Sequence, residues 1–497
     1  MIPINRTFAP LQAMVDELAR CGMRHAVTCP GSRNAPIALT LAAEERIEAV
    51  SVLDERCAGF MALGMAKASG RPVAVTCTSG SAAANLLPAV VEAREARVPL
   101  ILLTADRPPE LRDVGAGQAI DQLKLYGSAA KWFAEVGNPP QGRTGGEPGR
   151  EWAQHVRALS CRAYWTAAGG RPGAVHLNLP LREPLAPDPE DLTAEDWEGR
   201  PDGRPWTELR EHAPAPDSND VQAVAERVAA APRGAIVCGP THERVPEPAA
   251  RLAAQAGWPL LAEPASGVRC GPHDRSHVVA HYDVLLRGEG FLGSHAPELV
   301  LRIGDAPTSK PLRAWLAGAE QIVVDPHAAW HEPTRVAGLM LHAAAAPFCD
   351  ALAAALEMRL GGGEEAWLDS WRAMDALVGP ALDAAPDPLE PKAYAALAGS
   401  LPDGALVWSS SSMPVRDVEA FFPQTITDIR FLANRGANGI DGVVSSAAGA
   451  ALATGSPTWL LTGELALLHD AGGPAGDHKA GAKLRVVCVD NDGGGAF

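Results

Sequence analysis

At 497 residues the chain is too long for one ordinary core, which sets an expectation of about three domains. Its 47% hydrophobic and 21% charged residues are those of a globular protein, while a formal net charge of −16 argues against a nucleic-acid-binding surface, which needs clustered Lys and Arg. Nine cysteines with no Cys-x-x-Cys pair argue for reduced, buried thiols in a cytoplasmic protein, and no stretch reaches the ~18 unbroken apolar residues of a membrane-inserted helix.

The first predicted element is an amphipathic helix in "MIPINRTFAPLQAMVDELARCG", whose internal charges rule out a signal peptide. The apolar runs "HAVTCPGS", "VAVTCTSG", "PLILLTADRP" and "AVHLNLP" follow, separated by Ala-rich helical stretches. Fully apolar strands alternating with helices predict a parallel sheet covered on both faces. A Pro- and acid-rich stretch without periodicity then reads as a linker. "GAIVCGP", "PLLAEP", "ELVLRIGD" and "QIVVD" form a second alternating unit, and "ALVWSSSSMP", "IRFLANRG", "TWLLTGE" and "RVVCVDND" a third, after the break "DAAPDPLEP". The expected fold is therefore α/β with three doubly wound parallel-sheet domains. Their bounds are 1–183, a linker 184–220, a central domain 221–355, a helix and linker 356–390, and a third domain 391–497.

Ligands of open parallel sheets bind at the carboxyl ends of strands, so residues just after the strand runs carry the information. In the third unit Glu464 follows "TWLL", and Asn491 with Gly493 follows "RVVCV". A carboxylate, an amide oxygen and a backbone carbonyl make an oxygen-only set suited to Mg²⁺ or Ca²⁺. Two ordinary turns built from Asp, Asn and Gly are the other reading. In the first unit Glu55 enters an apolar, Ala/Gly-rich helix. A carboxyl there could exchange a proton with a heterocycle nitrogen, or could simply favour the helix N-terminus. Arg33, Arg107, Arg416 and Arg435 stand in loops at the same predicted edge. One such Arg is ordinarily a surface charge; four together suit a polyanionic substrate.

The stretches "CPGSRNAP", "DERCAGFMALGMAKASGRPVAVTCTSGSAAANLLPAVVEA", "LILLTADRPPELRDVGAGQAIDQ", "SSMPVRD" and "NRGANGIDGVVSSAAG" together resemble one family. It is the thiamine-diphosphate-dependent 2-succinyl-5-enolpyruvyl-6-hydroxy-3-cyclohexene-1-carboxylate synthases of menaquinone biosynthesis. The resemblance runs over the whole chain and is weakest in the central unit. It implies a pyrimidine-binding domain, a central domain without cofactor, and a diphosphate-binding domain, with thiamine diphosphate and Mg²⁺ (or Mn²⁺) held across a homodimer or homotetramer interface. The implied reaction decarboxylates 2-oxoglutarate and adds the remainder to isochorismate. Glu55 matches the glutamate that hydrogen-bonds the aminopyrimidine, and Ile440 the apolar wedge that bends the cofactor. Gly80, Ser412, Asp441, Gly463 and Leu465 match further cofactor positions. Ser32, Arg33, Arg107, Gln118, Lys310, Ser412, Arg416 and Arg435 match positions lining the pocket for two dicarboxylates, and Glu464, Asn491 and Gly493 match the metal shell.

Three departures from the family qualify this expectation. Glu464 stands where the metal-binding acid is ordinarily aspartate, which displaces the carboxylate by about one carbon–carbon bond, ~1.5 Å. Pro474 and several glycines occupy the stretch where a helix should cover the diphosphate, so any helix there should be short. In the family the chain continues beyond the "DNDGGGAF" loop, whereas Phe497 is the last residue here, so the third domain is expected to be C-terminally short. Two alternatives follow: a non-catalytic homologue that binds anionic metabolites, and another thiamine-dependent carboligase such as an acetolactate-type synthase. The central unit has no Gly-x-Gly-x-x-Gly stretch, so neither flavin nor nicotinamide is expected there.

Overall fold

The structure, a computed structural model, describes residues 3–137, 146–190, 192–359, 362–473 and 481–493. By its contacts the chain divides into two compact units. The first comprises Met1–Glu211, Asn434–Leu460 and Glu464–Arg485; the second comprises His212–Ala433, Leu461–Gly463 and Val486–Phe497.

The first sheet has six parallel strands: β1 (His25–Thr28), β2 (Glu48–Ser51), β3 (Val73–Cys77), β4 (Leu100–Asp106), β5 (Trp132–Glu135) and β6 (Ala174–Pro180), in the order β2-β1-β3-β4-β6-β5. Every residue of β3, β4 and β6 is buried, as apolar runs covered on both faces require. The strand order reverses between β1 and β3, which places the ligand crevice at the loops following those two strands.

In the same unit the helices Glu55–Ser69 and Val443–Thr454 touch backbone to backbone. A Cβ on Gly64 would lie 1.9 Å from the Ser446 carbonyl oxygen, and one on Gly449 would lie 2.1 Å from that of Met61. Ser446 Oγ donates to the Phe60 carbonyl at 3.1 Å, so the small residues of both helices serve close approach as well as helix propensity.

The second sheet contains β7 (Gly234–Cys238), β8 (Leu260–Ala262), β9 (Val278–Val279), β10 (Leu299–Ile303), β11 (Glu320–Val324) and β12 (Ala337–Leu341), ordered β12-β11-β10-β7-β8-β9. The third has β13 (Ala405–Ser409), β14 (Ile429–Ala433), β15 (Thr458–Gly463) and β16 (Leu484–Val489), ordered β14-β13-β15-β16. Three parallel-strand sheets with flanking helices make this the expected α/β fold.

Four strands are not announced by apolar runs: β2 ("EAVS"), β5 ("WFAE"), the two-residue β9, and β12 ("AGLML"). The Pro- and acid-rich stretch after residue 183 has local anchors in the first unit. Arg157 Nη2 donates to the Trp197 carbonyl at 2.7 Å, Trp165 Nε1 donates to that of Thr207 at 3.0 Å, and Trp197 is buried. All nine cysteines are free, and all except Cys488 are buried. Among the described residues no helix is long and apolar enough to cross a membrane.

Candidate active site

Helix Glu55–Ser69 starts on a side-chain cap: Asp54 accepts from the backbone amides of Arg56 and Cys57. That leaves the Glu55 carboxylate uncommitted, and among the described residues it has no hydrogen-bond or ion-pair partner. It is half-buried and faces the carboxyl edge of the first sheet, where its charge adds to burial in pushing up the thiols of Cys29, just past β1, and Cys77, the last residue of β3.

The loop after β3 presents Ser79 and Gly80. Ser79 is 2% exposed, and its buried Oγ has no partner among the described residues. Gly80 has φ +91°, donates its N–H to Gln122 Oε1 at 2.9 Å, and would bring a Cβ within 3.4 Å of Gln118 Cα. Arg107 donates from Nε and Nη2 to the Gly117 carbonyl at 3.1 and 3.0 Å, which ties it to the turn that carries Gln118. Gln118 itself sits in the left-handed region at φ +56°, a strain of the kind held at ligand sites.

Arg33 is buried, donates to the Leu181 carbonyl at 2.8 Å and pairs with Glu183 at 3.3 Å, yet its Nε lacks a partner. Burial, and then the nearby charge of Arg107, hold the Arg33 guanidinium below its ordinary pKa. Two guanidinium groups close enough to repel favour an anion between them. Arg33, Arg107, Gln118 and Gly80 are thus brought to one edge, with Ser32 exposed beside Arg33.

A buried amide network supports that edge, and no motif or periodicity announces it. Gln122 Nε2 donates to Asn178 Oδ1 at 3.0 Å, and Asn178 Nδ2 donates to Asp106 Oδ2 at 2.8 Å. Asp106 Oδ1 in turn accepts the Arg107 backbone N–H at 2.7 Å. Burial pushes the Asp106 carboxyl up, against the pull of Asn178 and Arg112.

Arg435, Ile440 and Asp441 lie half-buried on the loop after β14, also in the first unit. Asn434 Nδ2 closes this loop, donating to Ser446 Oγ at 3.2 Å and to the Asp441 carbonyl at 3.5 Å.

In the second unit Ser412 precedes helix Met413–Phe421, which carries Arg416. Arg416 Nη1 has Met413 Sδ at 3.9 Å. Ser412 has φ +78° and ψ −133°, close to the φ +91° and ψ −143° of Gly80, and both residues open a helix after a buried strand. Glycine occupies this region readily and serine at a cost of about 1–3 kcal/mol. Ser412→Gly is therefore expected to stabilise the protein by about 1 kcal/mol in chemical denaturation while lowering kcat/KM. A destabilised variant would show that the serine is not strained. Lys310 opens helix Lys310–Leu316, capped by the Ser309 side chain, and is exposed.

Glu464 opens the six-residue helix Glu464–His469 of the first unit, half-buried, with Leu465 50% exposed beside it. Pro474–Ala480, in the stretch where at most a short helix was expected, lie outside the described residues. Asp490, Asn491, Asp492 and Gly493, in the second unit, are exposed, and Gly463 ends β15 in that unit. Asn491 Nδ2 donates to Glu390 Oε1 at 3.1 Å, which leaves its Oδ1 as the available oxygen. Gly494–Phe497 lie outside the described residues.

These residues suit the implied groups. An orphaned buried hydroxyl, a glycine turn and an unpartnered carboxylate at the crevice of the first sheet fit a polar heterocyclic cofactor. Glu464 in the first unit, and Asn491 and Gly493 in the second, each carry an oxygen donor of the kind a hard divalent cation takes. The family model for the thiamine pyrophosphate enzyme N-terminal TPP binding domain matches residues 11–125. A 2-succinyl-5-enolpyruvyl-6-hydroxy-3-cyclohexene-1-carboxylate synthase from Geobacillus thermodenitrificans is 42% identical, covering 98% of this chain and 82% of the relative. Proteins of the same name are 43% identical in Myxococcus xanthus, over 98% of this chain and 82% of the relative, and 40% identical in Halobacterium salinarum, over 99% and 85%.

Proposed function

The chain belongs to the family of 2-succinyl-5-enolpyruvyl-6-hydroxy-3-cyclohexene-1-carboxylate synthases, and from that premise we propose how its residues divide the work. It is a thiamine-diphosphate-dependent transferase of menaquinone biosynthesis. It decarboxylates 2-oxoglutarate and joins the four-carbon remainder to isochorismate. The observation that carries this reading is identity above 40% to these synthases across 98% of the chain.

Thiamine diphosphate supplies, when bound, the electron sink that lets a 2-oxo acid lose carbon dioxide. The chain's part is to bind, orient and move protons. Glu55, with a carboxylate free of other partners, holds and exchanges a proton with the aminopyrimidine nitrogen. Ser79, Gly80, Ser412, Ile440, Asp441, Gly463 and Leu465 hold the cofactor. Arg33 and Arg107 bind substrate carboxylates, a reading supported by their mutual repulsion and by the partnerless Nε of Arg33. Ser32, Gln118, Lys310, Arg416 and Arg435 complete the pocket.

Glu464, Asn491 and Gly493 hold Mg²⁺ or Mn²⁺ in this reading, supported by their oxygen donors. The reading further includes a cytoplasmic location and a homodimer or homotetramer.

The test incubates the chain with thiamine diphosphate, Mg²⁺, 2-oxoglutarate and isochorismate and follows the product by mass. Carboligation with 2-oxoglutarate, abolished by a chelator and restored by Mg²⁺, is the expected result. Glu464→Ala should raise the Mg²⁺ concentration for half-maximal activity about 10–100-fold. Turnover of pyruvate in place of 2-oxoglutarate, or none at all, overturns the function, and an unchanged Mg²⁺ requirement removes Glu464 from the metal shell.

A further inference from the structure

On helix Leu87–Glu95, "LPAVVEARE", Glu92 is only 2% exposed. Its two carboxylate oxygens accept from two successive peptide amides 344 and 345 residues away: Gly436 N–H at 2.8 Å and Ala437 N–H at 2.7 Å. Both amides belong to the loop after β14, in the same compact unit as Glu92. The seat is close-fitting. A Cβ on Gly436 would lie 2.6 Å from the Ala96 backbone nitrogen and 2.8 Å from the Glu92 carbonyl oxygen, so only glycine lets the loop settle onto this helix.

The loop is fastened at its ends and in its middle. Asn434 ties its ends, bridging to Ser446 and to the Asp441 carbonyl, while Glu92 grips the middle. Between them the chain turns through Asn438, which takes the left-handed conformation at φ +64°. Burying a carboxylate is costly, and two peptide N–H groups could be satisfied more cheaply by a water or a carbonyl. What the charge adds is strong, directional bonding to two adjacent amides at once, which fixes the orientation of their peptide planes. Arg435 immediately precedes the first of those amides, and Ile440 and Asp441 follow three and four residues after the second.

We propose that Glu92 is a positioning residue: its carboxylate, gripping the amides of Gly436 and Ala437, sets the loop that presents Arg435 to substrate and Ile440 and Asp441 to the cofactor. The ligand roles of that loop rest on the proposed function; the grip itself does not. Glu92 touches neither ligand in this account and acts only through the loop. In Glu92→Gln the side-chain oxygen can still accept one amide, while its NH₂ group faces the other donor, so one anchor is lost without opening a large cavity.

The test uses the full chain. Residue-resolved hydrogen exchange should show slow exchange at Gly436 and Ala437 in the wild type. In Glu92→Gln it should show at least tenfold faster exchange confined to residues 434–442. Steady-state kinetics should show KM for one dicarboxylate raised at least tenfold and that for the other changed less than threefold. Adding Arg435→Lys to Glu92→Gln should cost less than the product of the two single effects, because both act through one contact. A role confined to stability would leave the KM ratio of the two substrates unmoved and overturns the proposal, as does unchanged exchange in the loop. Should Glu92→Gln not fold, Gly436→Ala lifts the loop from the opposite side and must give the same pattern. Fast exchange at Gly436 and Ala437 in the wild type overturns the grip without any variant. A wild type with slow exchange but no synthase activity overturns the proposed function and leaves the grip standing.

Discussion

Glu55→Gln is expected to lower kcat by about 10²–10⁴-fold, the usual contribution of a positioned acid or base, while the fold stays intact. Glu55 is the first residue of its helix, where a carboxylate gains about 0.3–1 kcal/mol from the helix dipole. The structural duty of a helix start is already met by Asp54, whose side chain caps the Arg56 and Cys57 amides. Removing the Glu55 charge therefore costs little stability. If Glu55 only served the dipole, glutamine would lower the thermal midpoint slightly and leave kcat alone. The two readings left open by the sequence thus separate in one pair of measurements, kcat at saturating cofactor and a melting curve. A kcat within threefold of wild type would end the proton-transfer role.

How far the sequence carried differs from element to element, for physical reasons. Strands such as β3, β4 and β6 are buried throughout, so an unbroken apolar run announces them and the loop that follows. Arg33, Gly80 and Arg107 were therefore legible as residues of one edge. The strand β9 is two residues long, and β5 is half-exposed, so neither leaves a run to read. Glu92 was illegible for another reason. A charged residue in a helix reads as solvent-facing, and its partners here are peptide N–H groups, which every residue but proline carries. The Gln122–Asn178–Asp106 network hides in the same way, because polar residues at strand ends are expected whether or not they meet. Ser412 shows the limit from the other side: the family resemblance pointed to a ligand role, but only its φ of +78° shows that the backbone there is strained.

The largest loss of stability is expected from Arg269→Met in the second unit. Arg269 is fully buried and donates from Nε to the Ala262 carbonyl at 2.8 Å. Its Nη1 reaches the carbonyls of Val418, Glu419 and Phe422 at 3.1, 2.8 and 3.0 Å, the end of helix Met413–Phe421, where unpaired carbonyls and the helix dipole both favour a cation. The Tyr282 ring lies 5.8 Å from the guanidinium carbon, and its hydroxyl donates to Glu419 Oε1 at 2.6 Å. Burial, reinforced by Glu263, pushes the Glu419 carboxyl above its ordinary pKa, which disfavours its charged form, and the bonds of the guanidinium go to the carbonyls. Methionine fills much of the same volume but donates nothing; the Val418 carbonyl keeps the Phe422 N–H, while the Ala262, Glu419 and Phe422 carbonyls lose this donor, at about 1–3 kcal/mol for each left buried without a partner. The expected loss is about 3–5 kcal/mol, or roughly 6–20 °C in melting temperature for a unit of this size. Because this helix carries Arg416 and follows Ser412, KM for a dicarboxylate should rise in the surviving folded fraction. A loss below about 1 kcal/mol would mean that water replaces the guanidinium at the helix end, and that the position of Arg416 does not depend on it.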